Sequence, residues 1–193
     1  MSLPASDNER YTYRDYLTWD DGERWELIDG VLYNMSPAPN RRHQRISLDL
    51  ATQLNSLLSG RPCEVYAAPF DVRLPKGDEA DTQVATVVQP DIVVICDPDK
   101  LDDRGVRGPP EFVVEILSPS TSDKDRTIKM ALYENRGVKE YWIIDPEDNT
   151  ITVHLLGPDG RFDTPVKYEG KGNIDVVSLP GLVLDLDAVF KSK

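Results

Sequence analysis

The sequence predicts an α/β fold in which a mixed β-sheet is flanked by helices, and three observations predict it. Two apolar, β-branched runs of strand length, Gln89-Pro90-Asp91-Ile92-Val93-Val94-Ile95 and Glu111-Phe112-Val113-Val114-Glu115-Ile116-Leu117-Ser118, are bounded by Pro, Gly or Asp. Segments with helical periodicity stand before and after these runs, and strands interleaved with helices build layered α/β domains. The chain of 193 residues has 39% hydrophobic and 29% charged residues, enough to bury a core in one domain spanning 1–193.

In chain order, residues 1–10 are polar and expected to fray. Tyr11 to Leu17 reads as a short helix with Thr12 as N-cap, a lid over one edge. Trp25 to Tyr33 carries Asp29-Gly30 between two apolar runs and predicts a β-hairpin. A helix follows from about Arg41 to Ser59, with Ile46, Leu50, Leu54, Leu57 and Leu58 as its core stripe and Gly60 as its stop. Cys63 to Leu74 reads as one extended strand, and the polar, aperiodic Pro75–Gln83 as a mobile loop leading to the Asp91 strand. Asp97 to Pro110 is turn-forming throughout. After the Glu115 strand, Lys124 to Arg136 predicts a helix with Ile128, Leu132 and Ala131 facing the core, stopped by Gly137. Lys139–Asp145 and Thr150–Leu156 predict an antiparallel pair, Val166–Tyr168 and Ile174–Val176 short strands of a peripheral meander, and Leu182–Phe190 a closing helix.

Charge and cysteine content narrow the function classes. A formal net charge of −12 opposes the electrostatic term that drives nonspecific DNA binding. No apolar run approaches the roughly 20 residues of a membrane span, and the first residues show neither a basic segment nor an apolar core, so a cytoplasmic protein with no membrane association is expected. Cys63 and Cys96 lack the spacing of a zinc site and are expected as reduced thiols.

Each of the two long apolar runs carries one acid that breaks its pattern. If the two strands are neighbours, Asp91 and Glu115 converge on one divalent cation, because Mg²⁺ or Mn²⁺ takes oxygen ligands and keeps several waters. Glu26 in the hairpin is a candidate third acid, and an exposed hairpin charge is its plain alternative. His43 and Gln44 lie in a first helical turn, where backbone N–H groups favour an anion.

These segments, in this order, resemble a known family. Val88-Gln89-Pro90-Asp91, then Val114-Glu115-Ile116-Leu117-Ser118-Pro119-Ser120-Thr121 and a helix, resemble the PD-(D/E)xK restriction-endonuclease-like fold. With Trp25–Gly30, Met35-Ser36-Pro37, His43-Gln44, and Lys129 through Tyr133 to Gly137–Asp145, the chain is similar to the Uma-two family of restriction-endonuclease-like proteins over about residues 11–156, leaving 157–193 peripheral. The family pattern departs here at Leu117, where a lysine would stand two residues past the acid. The resemblance implies that Lys129 on the following helix takes that part, with Lys124 as competitor. It further implies a Mg²⁺- or Mn²⁺-dependent endonuclease acting on DNA, a homodimer for double-strand cleavage, catalytic Asp91, Glu115 and Lys129, metal ligands Asp91, Glu115, the Ile116 carbonyl and Glu26, and substrate contacts from His43, Gln44 and Lys124. Two other readings stand beside it: a non-catalytic interaction or nucleic-acid-binding module retaining the fold, and hydrolysis of a small phosphoester. A basic stripe of Arg41, Arg42, Arg45, Lys124, Arg126 and Lys129 around the site would favour the nuclease over the module.

Overall fold

The computed structural model describes residues 10–35 and 38–191, so the expectation for residues 1–9 and the Ser36-Pro37 part of the family resemblance lie outside the described residues. In chain order the elements are α1 (Tyr13–Tyr16), β1 (Trp25–Ile28), β2 (Val31–Asn34), α2 (Arg41–Leu58), β3 (Glu64–Ala67), β4 (Val72–Arg73), β5 (Val87–Val88), β6 (Ile92–Ile95), β7 (Leu101–Asp102), β8 (Gly105–Arg107) and β9 (Phe112–Ile116). Then come α3 (Ser122–Lys124), a π-helical turn (Asp125–Lys129), α4 (Met130–Arg136), β10 (Glu140–Asp145), β11 (Thr150–Leu155), β12 (Val166–Glu169), β13 (Asn173–Asp175), β14 (Val183–Asp185) and α5 (Leu186–Val189).

The central sheet runs β12-β11-β10-β9-β6-β3, mixed because β9 and β10 are parallel and the other neighbours antiparallel. Its middle strands are buried on both sides, which is why they read as continuous apolar runs. One side, with Ile92, Val94, Phe112, Val114, Trp142 and Ile144, packs on Ile46, Leu50, Leu54 and Leu58 of α2 and on the C-terminal β13–β14–α5 unit. The other, with Val93, Ile95, Val113, Tyr141 and Ile143, packs on α4 and on a second sheet of order β2-β1-β5-β4-β8-β7. The helical crossover from Ser122 to Arg136 joins parallel β9 to β10, the connection parallel neighbours require.

Local signals account for several boundaries. The β1–β2 hairpin turns at Asp29 and Gly30 with φ of 49° and 82°, the pair of positive values a two-residue type I′ turn needs. Asn40 caps α2 by accepting from the His43 amide at 2.9 Å. At the start of α1, the Asp15 carboxylate accepts from both the amide and the hydroxyl of Thr12. Gly137, at φ 80°, is the left-handed stop of α4.

Other expectations are corrected. The single strand from Cys63 to Leu74 is two, β3 in the central sheet and β4 in the second, because Pro69 has no N–H to continue a ladder and the chain crosses between layers there. Asp97–Pro110 contains the β7–β8 hairpin as well as turns. The closing helix is a strand, β14, paired with β13, followed by the short α5. Leu57, Ile128 and Ala131 are exposed and not core. The two cysteines form a disulfide: β3 pairs antiparallel with β6 with Glu64 opposite Ile95, so flanking Cys63 and Cys96 face each other across the strand ends. The loop 75–83 is tied to the second sheet, Asp81 accepting from buried Arg73 and the Glu79 carbonyl from Arg107.

Candidate active site

The register of the central sheet places the two strand acids. Val114 on β9 is opposite Ile92 on β6, so extending the pairing by one residue sets Asp91 opposite Glu115, on the same face of the pleat. The Asp91 carboxylate accepts a hydrogen bond from the Ile116 amide at 2.7 Å. Their meeting point is the C-terminal end of the parallel pair β9–β10, the end at which open α/β sheets hold their ligands.

Five other elements reach the same point, α3 among them through Lys124. From the second sheet, Glu26 shares a face with core residue Ile28 two positions on, and so points inward; it is 0% exposed. Its Oε1 accepts from Lys129 Nζ at 2.7 Å and from the Gln89 amide at 3.0 Å, and its Oε2 from Lys124 Nζ at 2.6 Å. From the π-helical turn, Lys129, 3% exposed, also donates to Glu115 Oε1 at 2.8 Å. Asp125, one turn earlier, sets its Oδ1 3.9 Å from the same ammonium, and that oxygen is buried with no hydrogen-bond partner. From α4, the Tyr133 hydroxyl donates to Glu115 Oε1 at 2.8 Å. From α2, His43 Nε2 lies 3.2 Å from Asp91 Oδ2 while its Nδ1 is buried without a partner.

The electrostatics follow from four carboxylates, Glu26, Asp91, Glu115 and Asp125, around two lysines. Burial pushes the Glu115 pKa well above the ordinary value, and although Lys129 opposes this, Asp125, Asp91 and Glu26 add to it. Glu115 is therefore the acid of the cluster whose ionised form is the most disfavoured by its surroundings. Burial works against the Lys129 charge, but Glu115, Glu26 and Asp125 outweigh it and hold its pKa above that of a free lysine. For Glu26, burial is outweighed by Lys129 and Lys124, which keep it ionised. Burial raises Asp125 as well. His43 is held above its usual value, its desolvation overcome by the hydrogen bond and charge of Asp91.

These groups form one end of a cleft of about 600 Å³. Gln44, exposed on α2, lines it together with Met35, Leu48 and Pro69, whereas no residue of the 75–83 loop does. The structure thus brings Asp91, Glu115, Ile116, Lys129, Glu26, His43, Gln44 and Lys124 to one cleft. It does not assemble the basic stripe: Arg41, Arg42 and Arg45 line a separate cleft, and Arg126 pairs with Asp145.

Sequence reasoning missed Asp125, Tyr133 and the side chain of Gln89. The first two stand four residues to either side of Lys129, a polar stripe within an otherwise amphipathic segment that is legible as one helical face. Gln89 carries no such signal. Its amide group donates to Asp71 at 2.8 Å and to the Tyr16 hydroxyl at 3.1 Å and its carbonyl accepts from Arg24, so α1 and β4 brace the segment leading into Asp91.

Comparison with known proteins agrees with this architecture. Over 93% of this chain and 97% of its own, the crystal structure of "a putative nuclease belonging to DUF820" from Anabaena variabilis superposes with a TM-score of 0.71 at 20% identity, a likeness of fold. The "Uncharacterized protein slr1290" of Synechocystis is 27% identical over 191 residues, 97% of this chain and 95% of that protein. The model of the Uma2 family, described as "Putative restriction endonuclease", matches residues 13–187. With that match running from α1 into α5, the chain belongs to the Uma2 family.

Proposed function

We propose that this protein is a metal-dependent endonuclease that hydrolyses DNA phosphodiester bonds, with Asp91, Glu115 and Lys129 as its catalytic residues. The observation that carries the reading is the gathering of Glu26, Glu115 and Asp125 around Lys129, with Asp91 paired to His43 beside them, in the lining of one cleft. Lys124, Lys129 and His43 face the four carboxylates, and a divalent cation would neutralise the negative charge that remains.

The residues fit such an ion. Their donors are hard oxygens, and Asp125 Oδ1 is a buried oxygen with no partner. Among the described residues no three His, Cys, Asp or Glu side chains converge as a cage, and Mg²⁺ ordinarily takes one or two carboxylates and keeps its waters. Asp91, Glu115 and the Ile116 carbonyl would hold it. When bound, a divalent cation polarises the scissile phosphate and lowers the pKa of its water.

The chain's own groups have separable tasks. Lys129, held between Glu26 and Glu115, would orient or help deprotonate the attacking water and offset charge on the phosphoryl oxygens. Glu26, whose oxygens are taken by Lys129, Lys124 and the Gln89 amide, positions the two lysines. His43 and the Ile116 amide fix the rotamer of Asp91, and Gln44 and Lys124 contact the phosphate. Cutting both strands of a duplex takes two such sites, hence two copies of the chain.

The formal net charge of −12 favours a second reading, a module that keeps the fold and binds without turnover. Calorimetric titration of Mn²⁺ into the parent and into Glu115→Gln, followed by incubation with supercoiled DNA, separates the two. The nuclease reading expects binding that the variant weakens by about tenfold or more and nicking by the parent alone. Equal binding by both removes Glu115 from the site, and binding without nicking favours the module.

A further inference from the structure

A second cleft of about 430 Å³ is lined, among the described residues, by Arg41, Arg42, Arg45 and Lys191. Four cations gather there on a chain whose formal net charge is −12. All four are exposed. Arg42 is anchored by donating to the Pro146 carbonyl and to Asn149, and Arg45 donates to Asp49 at 2.6 Å, leaving each guanidinium with further donors. Arg41 and Lys191 have no ion-pair or hydrogen-bond partner among the described residues. Among the four, Arg45 is the one with a carboxylate partner among the described residues, Asp49, and exposed Glu147 and Asp148 lie in the turn that anchors Arg42.

The first turns of α2 separate this cleft from the candidate active site. His43, Gln44 and Ser47 line the first cleft, and Arg41, Arg42 and Arg45 line the second. A helix with its side chains is about 10–12 Å across, roughly three base-pair rises of 3.4 Å along a duplex axis. A phosphate seated at Asp91 and Glu115 therefore has strand neighbours within reach of the arginines. The acidic first cleft repels a polyanion, and docking there needs positive charge close by. Guanidinium forks match phosphate oxygens in both charge and geometry.

We propose that Arg41, Arg42, Arg45 and Lys191 form a phosphate-backbone site that grips duplex DNA about one helix diameter from the candidate catalytic carboxylates. The inference rests on the nuclease reading for its ligand and assigns the grip to a different cleft. Its test compares the parent with Arg41→Ser/Arg45→Ser/Lys191→Ser, sparing the anchored Arg42, and with Arg41→Lys/Arg45→Lys, which keeps the charge. Binding to a labelled duplex is measured by anisotropy over a range of salt with chelator present, and hydrolysis of the same duplex and of bis(p-nitrophenyl) phosphate, too small to span both clefts, is measured with Mn²⁺.

The serine variant should bind duplex at least tenfold more weakly, with a salt slope shallower by about 2–3, near 0.9 for each phosphate that is no longer neutralised. The lysine variant should keep the parent slope, and all three proteins should act alike on the small phosphodiester. Equal duplex affinity and slope in parent and serine variant, or a parent that does not bind duplex, would overturn the proposal. A parent that grips duplex through these residues yet hydrolyses neither substrate would defeat the nuclease reading and leave the basic cleft standing.

Discussion

At the scale of single residues, the site is governed by a shortage of positive charge. Lys129 is shared between Glu26 and Glu115, and Lys124 serves Glu26 alone, so Glu26 has the stronger claim and Glu115 is the acid whose pKa rises. Between the ordinary glutamate value of 4.5 and its raised folded value, the folded chain binds the Glu115 proton more tightly than the unfolded chain does. Stability accordingly falls as pH rises through that window, by up to about 1.4 kcal/mol per pH unit. With chelator present, Glu115→Gln escapes this loss, and its melting temperature should exceed the parent's by a margin that widens as pH rises above the ordinary glutamate value. A margin that narrows with pH would place the proton elsewhere. Lys129→Met has the opposite character. It strands buried Glu26 and Glu115 without their shared cation and should cost about 3–5 kcal/mol in urea denaturation at neutral pH. A cost below about 1 kcal/mol would mean that the lysine is dispensable to the cluster.

At the scale of elements, the helix after β9 shows how one turn of backbone decides a site. Apolar spacing points Ile128 and Leu132 inward, yet the π-helical turn over Asp125–Lys129 buries Asp125 and Lys129 and leaves Ile128 exposed. Widened turns of this kind occur often at functional sites, because they re-aim side chains that an unbroken α-helix would present elsewhere. The β3–β6 ladder carries a second consequence. Its register sets Cys63 against Cys96, closing a loop with a sequence separation of 33. In the chain-entropy account such a loop contributes about 3–4 kcal/mol, so Cys63→Ser/Cys96→Ser should lower the denaturation free energy by about that amount. The same loss should appear on adding reductant to the parent, and a reductant-insensitive midpoint would count against the bond in solution.

At the scale of the whole molecule, two sheets and a crossover helix hold the acids while α2 stands between an acidic cleft and a basic one. The described residues hold one cluster of candidate catalytic residues, so on the nuclease reading one encounter would cut one strand. Supercoiled DNA should convert to nicked circles at low protein concentration, and linear product should grow more steeply than first order with protein. Linear product appearing first, at a rate proportional to protein, would contradict two-copy cleavage. Among the described residues no helix is long and apolar enough to cross a membrane, in keeping with the absence of such a run from the sequence.

Features that depend on neighbours along the chain are legible in the amino-acid sequence alone. The strand runs around Asp91 and Glu115, the Asp29-Gly30 turn, the α2 stripe from Ile46 to Leu58 and the Gly137 stop are legible because periodicity and turn chemistry act over a few residues. The breaking of Cys63–Leu74 into strands of two sheets, the pairing of Cys63 with Cys96, the placing of Glu26 between two lysines and the inward turn of Asp125 were decided only by the tertiary structure. Each depends on which surfaces meet across the fold. Burial then sets the cost of leaving a charge unpaired, and that cost selects the partner.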